Sequence, residues 1–137
     1  MSTPLGSYRP CVLSGNYIYV SGQLPLKDGE LLFKGIVGED VSLEEAIEAA
    51  RVCAVNSLAI LKNETGDLNR IKKIIKVTGY VASSKDFYKQ ADVINGASNL
   101  YFDIFGDRGV HARAAVGVYK LPINSPVEVD LIAEIIP

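Results

Sequence analysis

Gly109 to Ile135 reads GVHARAAVGVYKLPINSPVEVDLIAEI. This stretch decides the fold, because its second half alternates. Val127, Val129, Leu131, Ala133 and Ile135 leave one side, and Glu128, Asp130, Ile132 and Glu134 leave the other. A period of two is the signature of a strand whose successive side chains project to opposite faces. Three acids on the second face are unusual for a strand buried on both sides, so this face expects water or a partner. The first half, from Ala112, is a run of small and β-branched residues opened by Arg113. The two halves read as strands joined by a tight turn near Ile123 to Ser125.

Working outward, the preceding segments supply helices. Ser42-Leu43-Glu44-Glu45 has the spacing of a capping box. An apolar stripe at Ala46, Ile47, Ala50, Ala54, Leu58 and Leu61 follows, which predicts a helix over Leu43 to Lys62. A second helix is expected from Lys85 to Phe105, capped by Ser83 or Ser84. Its stripe is Phe87, Ala91, Ile94, Ala97, Tyr101, Ile104 and Phe105, and Gly106 is its stop. Ile74 to Val81 reads as the strand between the helices. Before the first helix, Cys11 to Leu13 and Tyr17 to Ser21 flank the turn residues Ser14-Gly15-Asn16, as in a hairpin. Gly22 and Pro25 close that strand, Leu31 to Lys34 is a short edge strand, and residues 1–10 are an irregular arm.

The order β(β)β–α–β–α–β–β is α+β: a mixed sheet with two long helices on one face, in one domain over residues 1–137. The opposite sheet face is then uncovered, which predicts a closed oligomer.

Composition narrows the chemistry. The chain has 137 residues, a net charge of −2 and 48% hydrophobic residues. Binding driven by phosphate neutralisation usually needs a basic excess, so no nucleic-acid partner is expected. Arg70, Lys72, Lys73 and Lys76 are one candidate for a local basic patch, read instead as a solvated helix-end face. Cys11 and Cys53 have no metal-ligand spacing, and His111 is the single histidine. No metal site is therefore expected. No leader pattern and no apolar span are visible, which reads as a cytoplasmic protein with reduced thiols.

Arg113 carries the first functional expectation. Its planar fork of donors matches a carboxylate, so it is either the anchor of a carboxylate-bearing substrate or one half of a structural ion pair. With the expected hairpin register, Asp130 lies roughly 10–13 Å from it, a gap about the size of a small ligand and a water. Asp130 either holds a water and accepts its proton or is a solvated or interface carboxylate. Tyr8 and Ser21 are hydroxyl donors beside glycines. His111 is either a second polar ligand or a loop residue without a role.

Several separated segments resemble the RidA (YjgF/YER057c/UK114) family. Gly6-Ser7-Tyr8 looks like its Gly-Pro-Tyr, and Tyr17 to Pro25, YIYVSGQLP, is similar to its Ser-Gly-Gln-x-Pro strand. Ala112-Arg113-Ala114-Ala115-Val116, Leu121-Pro122 and Val127-Glu128-Val129-Asp130 resemble its C-terminal signature. The resemblance implies a chorismate-mutase-like fold (bacillus type) and a homotrimer with a barrel-like core and intersubunit clefts. It also implies hydrolysis of reactive 2-imino or 2-enamino acids to 2-keto acids and ammonia, a reaction that requires no metal or organic cofactor. By the same resemblance Arg113 binds the substrate carboxylate, Tyr8, Ser21 and Asn95 line the cleft, and Asp130 positions the attacking water. Three departures mark a divergent branch: an aspartate for the usual glutamate, Ala115 at a position often held by cysteine, and serine in Gly-Ser-Tyr. The second helix is also expected to be longer than in short family members. Two other functions compete: a non-catalytic binder or sensor of small carboxylates and keto acids, and an endoribonuclease, which the acidic balance and lone histidine weigh against.

Overall fold

A computed structural model describes residues 6–137. Strands β1 (Cys11–Ser14), β2 (Tyr17–Gln23), β5 (Ile71–Ala82), β6 (Ala112–Val118) and β7 (Val127–Ile135) form one sheet in the order β1-β2-β7-β5-β6. Two-residue strands β3 (Leu26–Lys27) and β4 (Glu30–Leu31) pair apart from it. The edge strand expected over Leu31 to Lys34 thus shrinks to this small ribbon.

Helix α1 (Leu43–Thr65) starts as its sequence predicts. Ser42 accepts from the Glu45 amide at 3.1 Å, and the Glu45 carboxylate accepts from the Ser42 amide at 3.0 Å. Gly66, at φ 82°, ends it in the left-handed conformation that glycine adopts without a Cβ penalty. Helix α2 (Gln90–Phe105) starts five residues later than expected and is correspondingly short. Neither Ser83 nor Ser84 caps it. Their backbone amides extend the sheet, bonding Val118 O and Val37 O, and the Ser83 hydroxyl donates to Val81 O. The buried stripe also shifts, to Val93, Ile94, Ala97, Tyr101 and Phe105, leaving Ala91 and Ile104 outside it.

The expected hairpin at the C-terminus does not form. β6 pairs in parallel with β5, Arg113 beside Val77, and β7 pairs antiparallel with the other edge of β5, Leu131 beside Val77. The connection is too long and too stiff for a tight turn. Pro122 lacks an amide hydrogen, Ile123 and Asn124 both adopt positive φ, and Asn124 O accepts from the Gly35 amide. β5, apolar along one face, needs a neighbour on each edge, and the crossover supplies it. The basic cluster likewise changes place. Arg70 to Lys76 lies on a short 3-10 turn and the start of β5, with Lys72 Nζ 3.7 Å from Glu134 and Arg70 donating to Ile136 O.

Both helices cover one sheet face. Ile18, Val20, Val77, Val81, Val129 and Leu131 meet Ala50, Cys53, Ala54 and Leu61 of α1 and Ile94 and Ala97 of α2, all buried. Alanines on α1 and Gly96 on α2 let the helix axes close. A Cβ at Gly96 would lie 2.1 Å from the Ile47 carbonyl oxygen. Among the described residues, none covers the other sheet face. Val12, Tyr17, Tyr19 and Val116 stand on it exposed, among Glu128, Asp130, Ile132 and Glu134.

Candidate functional site

Arg113 is placed by two elements. Strand β6 is an edge strand, and the register with β5 puts Arg113 on the helix-covered face. Its Nη1 donates to Asn95 Oδ1 at 2.7 Å and to Ser98 Oγ at 3.2 Å, and Nη2 donates to Ala91 O at 3.3 Å. All three acceptors lie on α2. A guanidinium has five N–H donors, so two face away from these bonds. Behind Arg113, Ser98 Oγ meets His111 Nε2 at 2.9 Å, and His111 Nδ1 meets Gly109 O at 2.6 Å. Burial holds the imidazole below its ordinary titration range, the Gly109 carbonyl works against that, and the Arg113 charge adds to it. Ser98, Phe102, Val110, His111 and Arg113 border an open cavity of about 310 Å³.

A second group stands on the uncovered face. Opposite Asp130, β2 carries an extra residue: Val20 pairs with Leu131 and Gln23 with Val129, leaving Ser21 and Gly22 against one position. At this bulge the Glu128 carboxylate lies on the Gly22 backbone, where a Cβ would sit 1.9 Å from Oε2. Glycine is required here by close approach. Tyr80 donates to Asp130 Oδ2 at 2.9 Å. Burial raises the Glu128 carboxyl above its usual range, and the Asp130 charge raises it further. Burial also raises Asp130, against the Tyr80 hydrogen bond and the Lys76 charge. The Tyr80 phenol is pushed up to about 12 by burial first and Asp130 second.

The five residues expected from the sequence therefore divide. Arg113 and Asn95 come together directly, though Asn95 orients the arginine through its side-chain oxygen. Asp130 stands across β5, about two strand spacings or 10 Å away, on the opposite face, because it pairs with Thr78 and not with the Arg113 strand. Ser21 is beside the acids, its hydroxyl donating to Arg9 O at 2.5 Å. Tyr8 lies half exposed on the arm. Glu128, Tyr80 and Ser98 are additions that the sequence reading passed over. For Glu128 a signal existed: it shares the alternating face with Asp130, two positions away on the same strand. For Ser98 none did, since a helical serine is ordinary. Among the described residues no cluster of acids, histidines and cysteines could hold a metal ion. No helix there is long and apolar enough to cross a membrane.

Comparison with known proteins agrees with this architecture. Residues 1–135 match the family described as "YjgF/chorismate_mutase-like, putative endoribonuclease". Protein TCP17 of Trypanosoma cruzi is 40% identical over 135 residues, 98% of this chain and 84% of that protein. A RutC family protein of Pyrococcus horikoshii is 32% identical over 132 residues, 95% of this chain and 88% of the relative. A crystal structure of an Agrobacterium tumefaciens protein of unknown function is 50% identical, with a TM-score of 0.93 over 97% of this chain and 85% of that one. With a mixed sheet, two helices on one face and a family match along almost its full length, the chain belongs to the YjgF/RutC family.

Proposed function

We propose that the protein hydrolyses reactive 2-imino or 2-enamino acids to 2-keto acids and ammonia, in clefts between copies of a homotrimer. The observation that carries this is Arg113, held by three acceptors on α2 with two donors left over. A fixed fork of that kind suits a carboxylate, and a shielded pair contributes roughly 1.5–3 kcal/mol. The acids stand on the other sheet face, so one chain does not put cation and acid against one small ligand. A neighbouring copy does, if its uncovered face packs near the Arg113 edge. The exposed apolar residues of that face support such packing.

The chemistry asks little of the protein. The iminium carbon is already electrophilic, so orientation and a placed water suffice. Glu128, its carboxylate against Gly22, is the base we assign to the water, with Asp130 beside it. The water oxygen adds to C2 and its proton passes to the carboxylate. The carbinolamine nitrogen takes that proton back, the C–N bond breaks to release ammonia while the hydroxyl proton passes to the carboxylate, and the keto acid remains. A carboxyl raised by burial is closer to the operating pH and suits this return of the proton. Neither a metal nor an organic cofactor enters these steps.

The test generates 2-iminobutyrate in situ and follows semicarbazone trapping. Wild-type protein is expected to outcompete semicarbazide and Arg113→Ala to lose at least about 100-fold in rate, as misplacement of a bound substrate does. Equal trapping with and without protein defeats the proposal. A second reading, a keto-acid binder without turnover, is favoured by the engagement of Asp130 with Tyr80. Calorimetry with 2-ketobutyrate, binding lost in Arg113→Ala and no imine hydrolysed, would select it.

A further inference from the structure

Behind the arginine lies a chain of three hydrogen bonds whose directions are all set by one carbonyl. Gly109 O can only accept, so His111 Nδ1, 2.6 Å away, carries the hydrogen. In the neutral ring Nε2 is then a bare lone pair and must accept, so the Ser98 hydroxyl, 2.9 Å away, donates to it. With its hydrogen committed, Ser98 Oγ turns its lone pairs outward and accepts from Arg113 Nη1 at 3.2 Å. The ring is also held from behind. Tyr101, fully buried, meets it edge-on with centroids 5.9 Å apart. The tyrosine is fixed in turn, because Ser57 donates its hydrogen to Ala54 O and so accepts from the Tyr101 hydroxyl at 2.6 Å.

We propose that His111 and Ser98 are positioning residues that fix the Arg113 guanidinium for its carboxylate, with Gly109 setting the polarity of the relay. This rests on the reading of Arg113 as an anchor. Freed of His111, the Ser98 hydroxyl turns to donate its one hydrogen to a carbonyl of its own helix, its lone pairs swing away from Arg113 Nη1, and the guanidinium loses one of its three supports. Burial of the imidazole and the neighbouring guanidinium charge both keep the ring neutral, the form the relay requires.

The single histidine makes the first measurement unambiguous. Nitrogen NMR of the labelled full chain is expected to show the Nδ1–H tautomer in the wild type. It should also show Arg113 Nη1 hydrogens that exchange slowly in the wild type, fast in Ser98→Ala and His111→Ala, and slowly again in Ser98→Thr. An Nε2–H tautomer overturns the proposal, as does an Arg113 signal unchanged in both alanine variants. The second measurement is calorimetry with 2-ketobutyrate, where each alanine variant is expected to weaken binding about 10-fold, as for the loss of one hydrogen bond to a charged group, and Ser98→Thr to restore it. Unchanged affinity in both alanine variants, with Arg113→Ala losing binding, counts against the relay alone. Affinity that survives Arg113→Ala removes the anchor reading, and the NMR result still decides whether the relay orders the side chain.

Discussion

Glu128 and Asp130 occupy alternate positions of one strand, on the sheet face opposite the helices, and both carboxyls are held above their usual range chiefly by burial. A raised folded-state pKa means that the folded chain binds more protons than the unfolded one. The associated stability is present below the unfolded value, about pH 4, and is lost as pH rises through the raised folded values. Glu128→Gln removes one of these groups without changing the shape. We expect the variant to gain on the wild type from about pH 4 toward pH 7, read by urea unfolding at fixed protein concentration. Parallel stability curves would show that the Glu128 carboxyl is not perturbed. Assembly of the open face would strengthen the trend, since it buries the acid further. The same variant is expected to lose imine hydrolysis, which separates the functional cost of the acid from its energetic one.

The helix pair depends on a small contact. Gly96 sits in the middle of α2, where glycine ordinarily costs about 1 kcal/mol against alanine. Propensity alone therefore predicts that Gly96→Ala stabilises. The neighbour decides otherwise: the new Cβ would lie 2.1 Å from the backbone oxygen of Ile47, which cannot swing aside as a side chain could. Overpacking of this kind costs about 1–3 kcal/mol or more, so the clash outweighs the propensity. We expect a net loss of about 1–2 kcal/mol in denaturant unfolding. A stabilised variant would mean that the helices stand further apart. The same element shows where sequence patterning was misleading. Ser83-Ser84 has good capping chemistry, but its backbone amides bond to Val118 O and Val37 O as part of the sheet, and the helix begins only at Gln90.

At the scale of the whole molecule, one layer of helices covers one face of a five-stranded sheet, and the other face carries Val12, 55% exposed, and Tyr19, 45% exposed, beside buried-leaning acids. The proposed trimer would have three times the chain's 14.8 kDa. Tyr19→Glu, placing a charge opposite Ile132 in the ladder, is expected to shift light-scattering mass toward the single chain and to abolish hydrolysis while leaving helical circular dichroism unchanged. A wild type that is monomeric at micromolar concentration would remove the intersubunit cleft.

Much of this was legible in the residues themselves. The capping box of α1, the alternation of β7 and the two-helix sheet all follow from periodicity and donor chemistry that act within a few positions. What tertiary structure alone decided was pairing. Period two says that a stretch is a strand but not which strand it lies beside. The hairpin expected between β6 and β7 was therefore replaced by β5 between them, and Arg113 and Asp130 came to lie on opposite faces. For the same reason the Ser98–His111 support of Arg113 could not be read from the sequence: it joins a helix to a loop thirteen positions on, through a contact that only the packed chain creates.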